Sequence, residues 1–145
     1  IENMENFRLI RQQRSFFETY LKTRRLPTKV LFVSRYPQSV DLRKWLMSIP
    51  NHYLHFGDFD LAGIKIFLSE FQEFIGSDRS SYLIPDDIEY RLKSGSRKRY
   101  DEQFHHFNEV KSNNSELQRL IDLIHNERKA YDQEGYICNS IFLNR

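Results

Sequence analysis

Two aspartates two positions apart close the run His52-Tyr53-Leu54-His55-Phe56-Gly57-Asp58-Phe59-Asp60. In an extended segment, positions i and i+2 face the same way, so these carboxylates stand side by side. Two negative charges that close raise the proton affinity of one of them. A divalent cation removes the conflict, and hard oxygen ligands favour magnesium, manganese or calcium over zinc. Gly57 permits a sharp turn and leaves room above the strand end. Asp60 has a second possible use, as the cap of a helix beginning near Leu61. Glu2 gains meaning beside this pair. If Ile1 ends a strand, Glu2 lies at the same sheet edge, and one Glu with two Asp makes a workable magnesium and acid–base set. Read alone, Glu2 is better explained as an exposed acid at a helix start, where it complements the dipole.

The elements that must position these residues follow from hydrophobic period. From about Asn6 to Arg25 the pattern is helical, with Phe7, Ile10, Phe17 and Leu21 on one face, and Leu26-Pro27 ends it. Lys29-Val30-Leu31-Phe32-Val33-Ser34 is a continuous apolar run of the kind found in buried parallel strands, broken at Pro37. Val40, Leu42, Trp45 and Leu46 suggest a short helix, with Trp45 in the core. His52–Phe56 reads as the next strand, and Leu61, Ile64, Phe67, Leu68, Phe71 and Ile75 recur at helical spacing. Ser81–Ile84 reads as one more strand, and Pro85-Asp86-Asp87 starts a short helix. Ser94–Arg99 is a basic loop or helix lead-in, and Ser115-Glu116-Leu117-Gln118 has the form of a capping box. Strands alternating with helices imply a mainly parallel sheet flanked by helices, with functional groups at the carboxyl ends of the strands.

The chain of 145 residues fits a single domain, 1–145, with an α/β part over about 1–84 and a helical part over about 85–145. Hydrophobic residues at 39% and charged ones at 29% describe a globular protein rather than a disordered tail. No apolar run approaches the ~20 residues of a membrane span, so no membrane partner is expected. One cysteine, Cys138, makes no internal disulfide and no cysteine zinc site; it points to a reducing cytoplasm and is expected to be inert. Lys and Arg (22) exceed Asp and Glu (20) by 2, too few to demand nucleic acid by net charge and no bar to a clustered basic face. The opening Ile1-Glu2-Asn3 looks like the end of a buried strand, so the first strand is expected to be truncated.

Tyr53-Leu54-His55-Phe56-Gly57-Asp58-Phe59-Asp60-Leu61-Ala62-Gly63 resembles the Asp-x-Asp motif of Toprim domains. The form is that of the JetD subunit of Wadjet plasmid-defence systems, with a related version in the topoisomerase VI A subunit. Ile1-Glu2-Asn3-Met4-Glu5-Asn6-Phe7 is similar to the other signature of that domain, a strand ending in Glu-Asn. Tyr131-Asp132-Gln133-Glu134 is similar to its late Gln-Glu pair. The resemblance implies a Toprim-like, Rossmann-like fold and a magnesium- or manganese-dependent DNA-cleaving activity, plausible in defence against foreign plasmid DNA. Glu2 would be the general acid or base, and Glu2, Asp58 and Asp60 would form the metal set. Partners would be DNA and other subunits of a defence complex, in a bacterial cytoplasm, with oligomers possible. Two alternatives stay open. One is a non-catalytic Toprim-like module that binds DNA or a partner. The other is a topoisomerase-type subunit whose tyrosine lies in a separate upstream domain.

Phosphodiester cleavage needs positioning, charge neutralisation and proton transfer. Basic side chains must hold the backbone, and the candidates are Arg35 at the sheet's carboxyl edge and the run Arg97-Lys98-Arg99, which is otherwise a solvated surface. Gln133 and Glu134 are expected either to stand behind the metal ligands or to cap and bridge helices. His52 and His55 alternate on one strand; one could approach the site, although packing explains both. His105-His106 reads as surface, and Gly63 as a point of close helix–sheet packing.

Overall fold

A computed structural model describes residues 1–36 and 40–137; Pro37 and Cys138 lie outside them. In chain order the elements are α1 (Met4–Arg8), α2 (Arg14–Thr23), α3 (Val40–Ser48), β1 (Tyr53–His55) and α4 (Leu61–Ile66). A π-helical stretch, Phe67–Gln72, carries α4 into α5 (Glu73–Ile75). Then come β2 (Ser80–Tyr82), α6 (Ile88–Leu92), α7 (Arg97–Phe107) and α8 (Ser115–Glu127). The architecture is mixed α/β. β1 and β2 pair in parallel, with Tyr53 opposite Ser80 and His55 opposite Tyr82, and helices flank them.

The expected larger sheet is reduced to these two strands among the described residues. The 29–34 run is extended but is not a buried strand: Val30 is 43% and Leu31 75% exposed. The reason is visible in the pairing. The Ile1 nitrogen donates to the Val33 carbonyl (3.0 Å), and the Arg35 N–H donates to the Ile1 carbonyl (2.9 Å), the pattern of a parallel ladder. The Glu2 N–H then donates to the Phe56 carbonyl at 2.9 Å. Ile1 and Glu2 thus lie between the extended run and the end of β1. Alongside Ile1, the same gap is an apolar cavity of about 360 Å³ lined by Phe17, Leu31, Leu46, Leu54 and Phe56 among others.

The helix expected over 6–25 is two helices. Asn6 and Gln13 are fully buried and bond each other: Asn6 Nδ2 donates to Gln13 Oε1, and Gln13 Nε2 to the Asn6 backbone carbonyl, both at 3.0 Å. The bend between α1 and α2 brings these two side chains together, while Asn6 Oδ1 is buried without a hydrogen-bond partner among the described residues. Trp45 is 40% exposed while its neighbour Leu46 is buried, so α3 turns the leucine inward instead. Asn114, not Ser115, caps α8, accepting from the Leu117 N–H at 2.9 Å. Gln118 instead bonds Ser112 and Asp122.

A single cluster of buried apolar side chains runs from Phe17 to Tyr136, with Phe56, Phe59, Ile64, Phe67, Leu120 and Ile124 at or below 1% exposure. The late chain returns to the strand exit: Phe59 and Tyr131 exchange backbone hydrogen bonds of 2.9 and 3.1 Å. Among the described residues, no helix is long and apolar enough to cross a membrane.

Candidate active site

The chain leaves β1 through Phe56 and turns at Gly57. A Cβ there would stand 2.6 Å from Glu2 Oε2, 2.7 Å from His55 Nε2 and 2.9 Å from the Tyr82 hydroxyl. The absence of a side chain at position 57 is therefore what lets the Glu2 carboxylate fold over the strand end. Gly63 serves similarly one turn into α4, where a Cβ would meet the Asp58 carbonyl at 2.6 Å. That carbonyl also accepts from the Tyr82 hydroxyl at 2.6 Å.

Glu2, Asp58 and Asp60 occupy the same edge of the sheet. Glu2 is held on both oxygens: Arg35 Nη1 lies 3.2 Å from Oε1 and His55 Nε2 lies 3.4 Å from Oε2. Burial acts to raise its pKa, but the His55 contact and the Arg35 charge outweigh this and leave it below the ordinary carboxylate value. Asp58 receives the Gln133 backbone N–H on Oδ1 at 2.9 Å. Burial first, with the Asp60 and Glu2 charges behind it, pushes its pKa up to about 6 against the opposing Gln133 hydrogen bond and Arg99. Asp60 is buried and does cap α4, accepting from the Gly63 N–H at 2.6 Å on Oδ1 and from Gln103 Nε2 at 2.8 Å on Oδ2.

Arg99 faces this pair. Its Nη1 lies 3.8 Å from Asp60 Oδ2 and 4.0 Å from Asp58 Oδ2, and it is paired with Asp132. The two aspartates therefore converge on one cationic nitrogen. The rest of the basic run points elsewhere. Arg97 pairs with Asp101 and Lys98 with Glu102, one turn along the exposed face of α7. Arg35 is turned inward, with its second arm on Glu70 at 3.0 Å, so both arms hold carboxylates rather than facing solvent. Gln133 is buried and meets Asp58 through its main chain, while its carbonyl accepts from Asn6 Nδ2 at 3.1 Å. Glu134 accepts from Asn3 Nδ2 at 2.5 Å. The early Glu-Asn, the central Gly-Asp-x-Asp and the late Gln-Glu thus meet at one place.

Among the described residues, no group of three His, Cys, Asp or Glu side chains is placed to hold a metal ion. Asp58 and Asp60 supply two carboxylates, the number a magnesium ion takes beside water and substrate phosphate, but both Asp60 oxygens already accept hydrogen bonds and Arg99 lies against the pair. Of the two strand histidines that could approach the site, His55 is the one that does, and Tyr82 around Gly57, Gln103 on Asp60 and Asp132 on Arg99 reach it as well, residues to which the sequence gives no role. The one sequence signal for His55 is its i, i+2 spacing from Tyr53, which puts both on one face of β1.

A family model described as a domain of unknown function (DUF7281) matches residues 35–145. The chain belongs to that family. The DUF7281 match contains Arg35, Asp58, Asp60, the Arg97–Arg99 run and the Gln133-Glu134 pair, and it begins after Glu2. No curated protein and no solved structure matches the chain.

Proposed function

We propose that this is a Toprim-like, magnesium- or manganese-dependent DNA-cleaving domain. The observation that carries the reading is the convergence of Asp58 Oδ2 and Asp60 Oδ2 on a single cation, Arg99, at the carboxyl end of β1, with Glu2 beside them. Asp58 and Asp60 would hold the metal ion, which supplies charge neutralisation at the scissile phosphate. Glu2 is the proton acceptor that the sequence resemblance offers; the Arg35 and His55 contacts fix both its oxygens and also make it a weaker base than a free carboxylate. Arg97 and Lys98, exposed on the first turn of α7, are the side chains free to approach a phosphate backbone if they leave their one-turn partners. In the setting the sequence resemblance suggests, the DNA is foreign plasmid and the partners are other subunits of a cytoplasmic defence complex.

One observation favours a second reading, a non-catalytic module that binds DNA or a partner. Arg99 already neutralises the aspartate pair, and Asp60 is fully engaged as a helix cap. Supercoiled plasmid separates the two. Under the first reading the protein nicks or linearises it with magnesium or manganese, and EDTA or Asp58→Asn abolishes this. Cleavage that survives both overturns the metal assignment. DNA binding without any cleavage by the unmodified protein establishes the second reading.

A further inference from the structure

His55 is fully buried, yet both ring nitrogens meet polar partners. Nδ1 lies 2.7 Å from the Tyr53 hydroxyl, and Nε2 faces Glu2 Oε2 at 3.4 Å. Phe67, Phe71 and Tyr82 pack around the ring, with centroids 5.3–5.4 Å away, and hold its plane. A histidine needed only for packing would be replaced at no loss by phenylalanine, which buries no polar atom. What distinguishes His55 is the line it completes: Tyr53 hydroxyl, imidazole, Glu2 carboxylate, Arg35, Glu70. The contact with Glu2 passes over the spot where a Cβ of residue 57 would be, 2.7 Å from Nε2.

We propose that His55 is a positioning residue for Glu2: the Tyr53 hydroxyl donates to Nδ1, which leaves Nε2–H to hold Oε2 while Arg35 holds Oε1. This deepens the functional reading above and rests on it. The tautomer follows from the partners. An ionised carboxylate only accepts, so Nε2 must carry the proton; a neutral ring then offers Nδ1 as acceptor, and the half-buried Tyr53 phenol supplies the donor. Burial, outweighing the Glu2 contact, shifts the His55 pKa down. With both oxygens held, the Glu2 carboxylate is fixed over Gly57 beside Asp58, and its rotation, which would cost orientation in the proton-transfer step, is stopped. A group that orients a proton carrier in this way typically contributes about 10–100-fold.

The test contrasts two substitutions whose order a packing role would reverse. His55→Phe keeps an aromatic ring and loses the N–H; His55→Gln loses the ring and returns an amide N–H near the Nε2 position. The proposal expects plasmid cleavage by His55→Phe to fall about 10–100-fold in kcat with KM for DNA unchanged, and His55→Gln to recover most of it. His55→Phe as active as the unmodified protein, with His55→Gln impaired, overturns it. A second readout needs no activity: two-bond proton–nitrogen NMR on the full chain. The expected signal is a neutral ring protonated at Nε2, changed by both Tyr53→Phe and Glu2→Gln. An Nδ1–H tautomer or a charged ring overturns the hydrogen-bond assignment even if cleavage is seen. Absence of cleavage by the unmodified protein with either metal, the tautomer being as expected, refutes the functional reading and the catalytic role of His55 with it, and leaves the Glu2 clamp as a structural device.

Discussion

At Gly57 a single methyl group would displace the Glu2 carboxylate, since its Cβ would stand 2.6 Å from Oε2. Gly57→Ala is therefore expected to reduce stability by about 1–3 kcal/mol. The far end of Glu2 can swing aside, so the chain should still fold while plasmid cleavage falls to background; urea denaturation and a nicking assay read the two effects separately. Asp58 gives a pH signature. Its pKa stands near 6 in the folded chain against 3.8 ordinarily, so between those values the folded state binds more protons than the unfolded one. Asp58 thus makes stability fall as pH rises through that interval. Melting temperatures across it should show this slope in the unmodified protein and lose it in Asp58→Asn. Arg99 competes with any metal for the same oxygens. Arg99→Ala is expected to tighten magnesium binding several-fold by titration calorimetry, and weaker binding would mean that Arg99 supports the site rather than occupies it.

At the scale of elements, the π-helical stretch between α4 and α5 keeps Phe67 and Phe71 in the core while Glu70 reaches Arg35. Extra residues per turn of this kind often accompany functional positions, and here the consequence is a second carboxylate anchoring the arginine that holds Glu2. α8 shows how a terminus can be misread by one residue. Asn114-Ser115-Glu116-Leu117-Gln118 contains two adjacent capping types, and Asn114 takes the role because its Oδ1 reaches the Leu117 N–H. Asn114→Ala is expected to cost about 1 kcal/mol and Ser115→Ala only a few tenths; thermal denaturation distinguishes them, and the reverse order would restore the Ser115 capping box.

At the scale of the whole molecule, polar ties join the early and late described segments. Asn6 donates to Gln13 and to the Gln133 carbonyl, Gln133 donates to Asp58, and Asn3 reaches Glu134. The early and late segments therefore bond to each other as well as to the strand exit. Asn6→Ala would leave the Gln13 side chain and the Gln133 carbonyl without this buried donor. It is expected to destabilise the chain by about 2–4 kcal/mol and to reduce magnesium binding along with stability, because Asp58 loses its backbone support. Denaturant unfolding and calorimetry on the same variant test both. Destabilisation without any change in metal affinity would separate the end-to-end ties from the site.

Much of this was legible in residue order. The Gly-Asp-x-Asp after an apolar strand, the helical period over Leu61–Ile75, the capping role of Asp60 and the surface position of His105-His106 all depend on local spacing, which a sequence carries directly. Tertiary structure alone decided the rest. Only packing shows that Val30 and Leu31 stay exposed at an open apolar cavity, because burial of an apolar run depends on what pairs beside it. Nothing in the basic run distinguishes Arg99 from Arg97 and Lys98; the rotation of α7 against the strand exit sends one to the aspartates and two along the helix surface. His55 and Arg35 became holders of Glu2 for the same reason: residues 2, 35 and 55 are neighbours only after the chain start has been laid between the 29–35 stretch and β1, a contact between distant segments that no local pattern encodes.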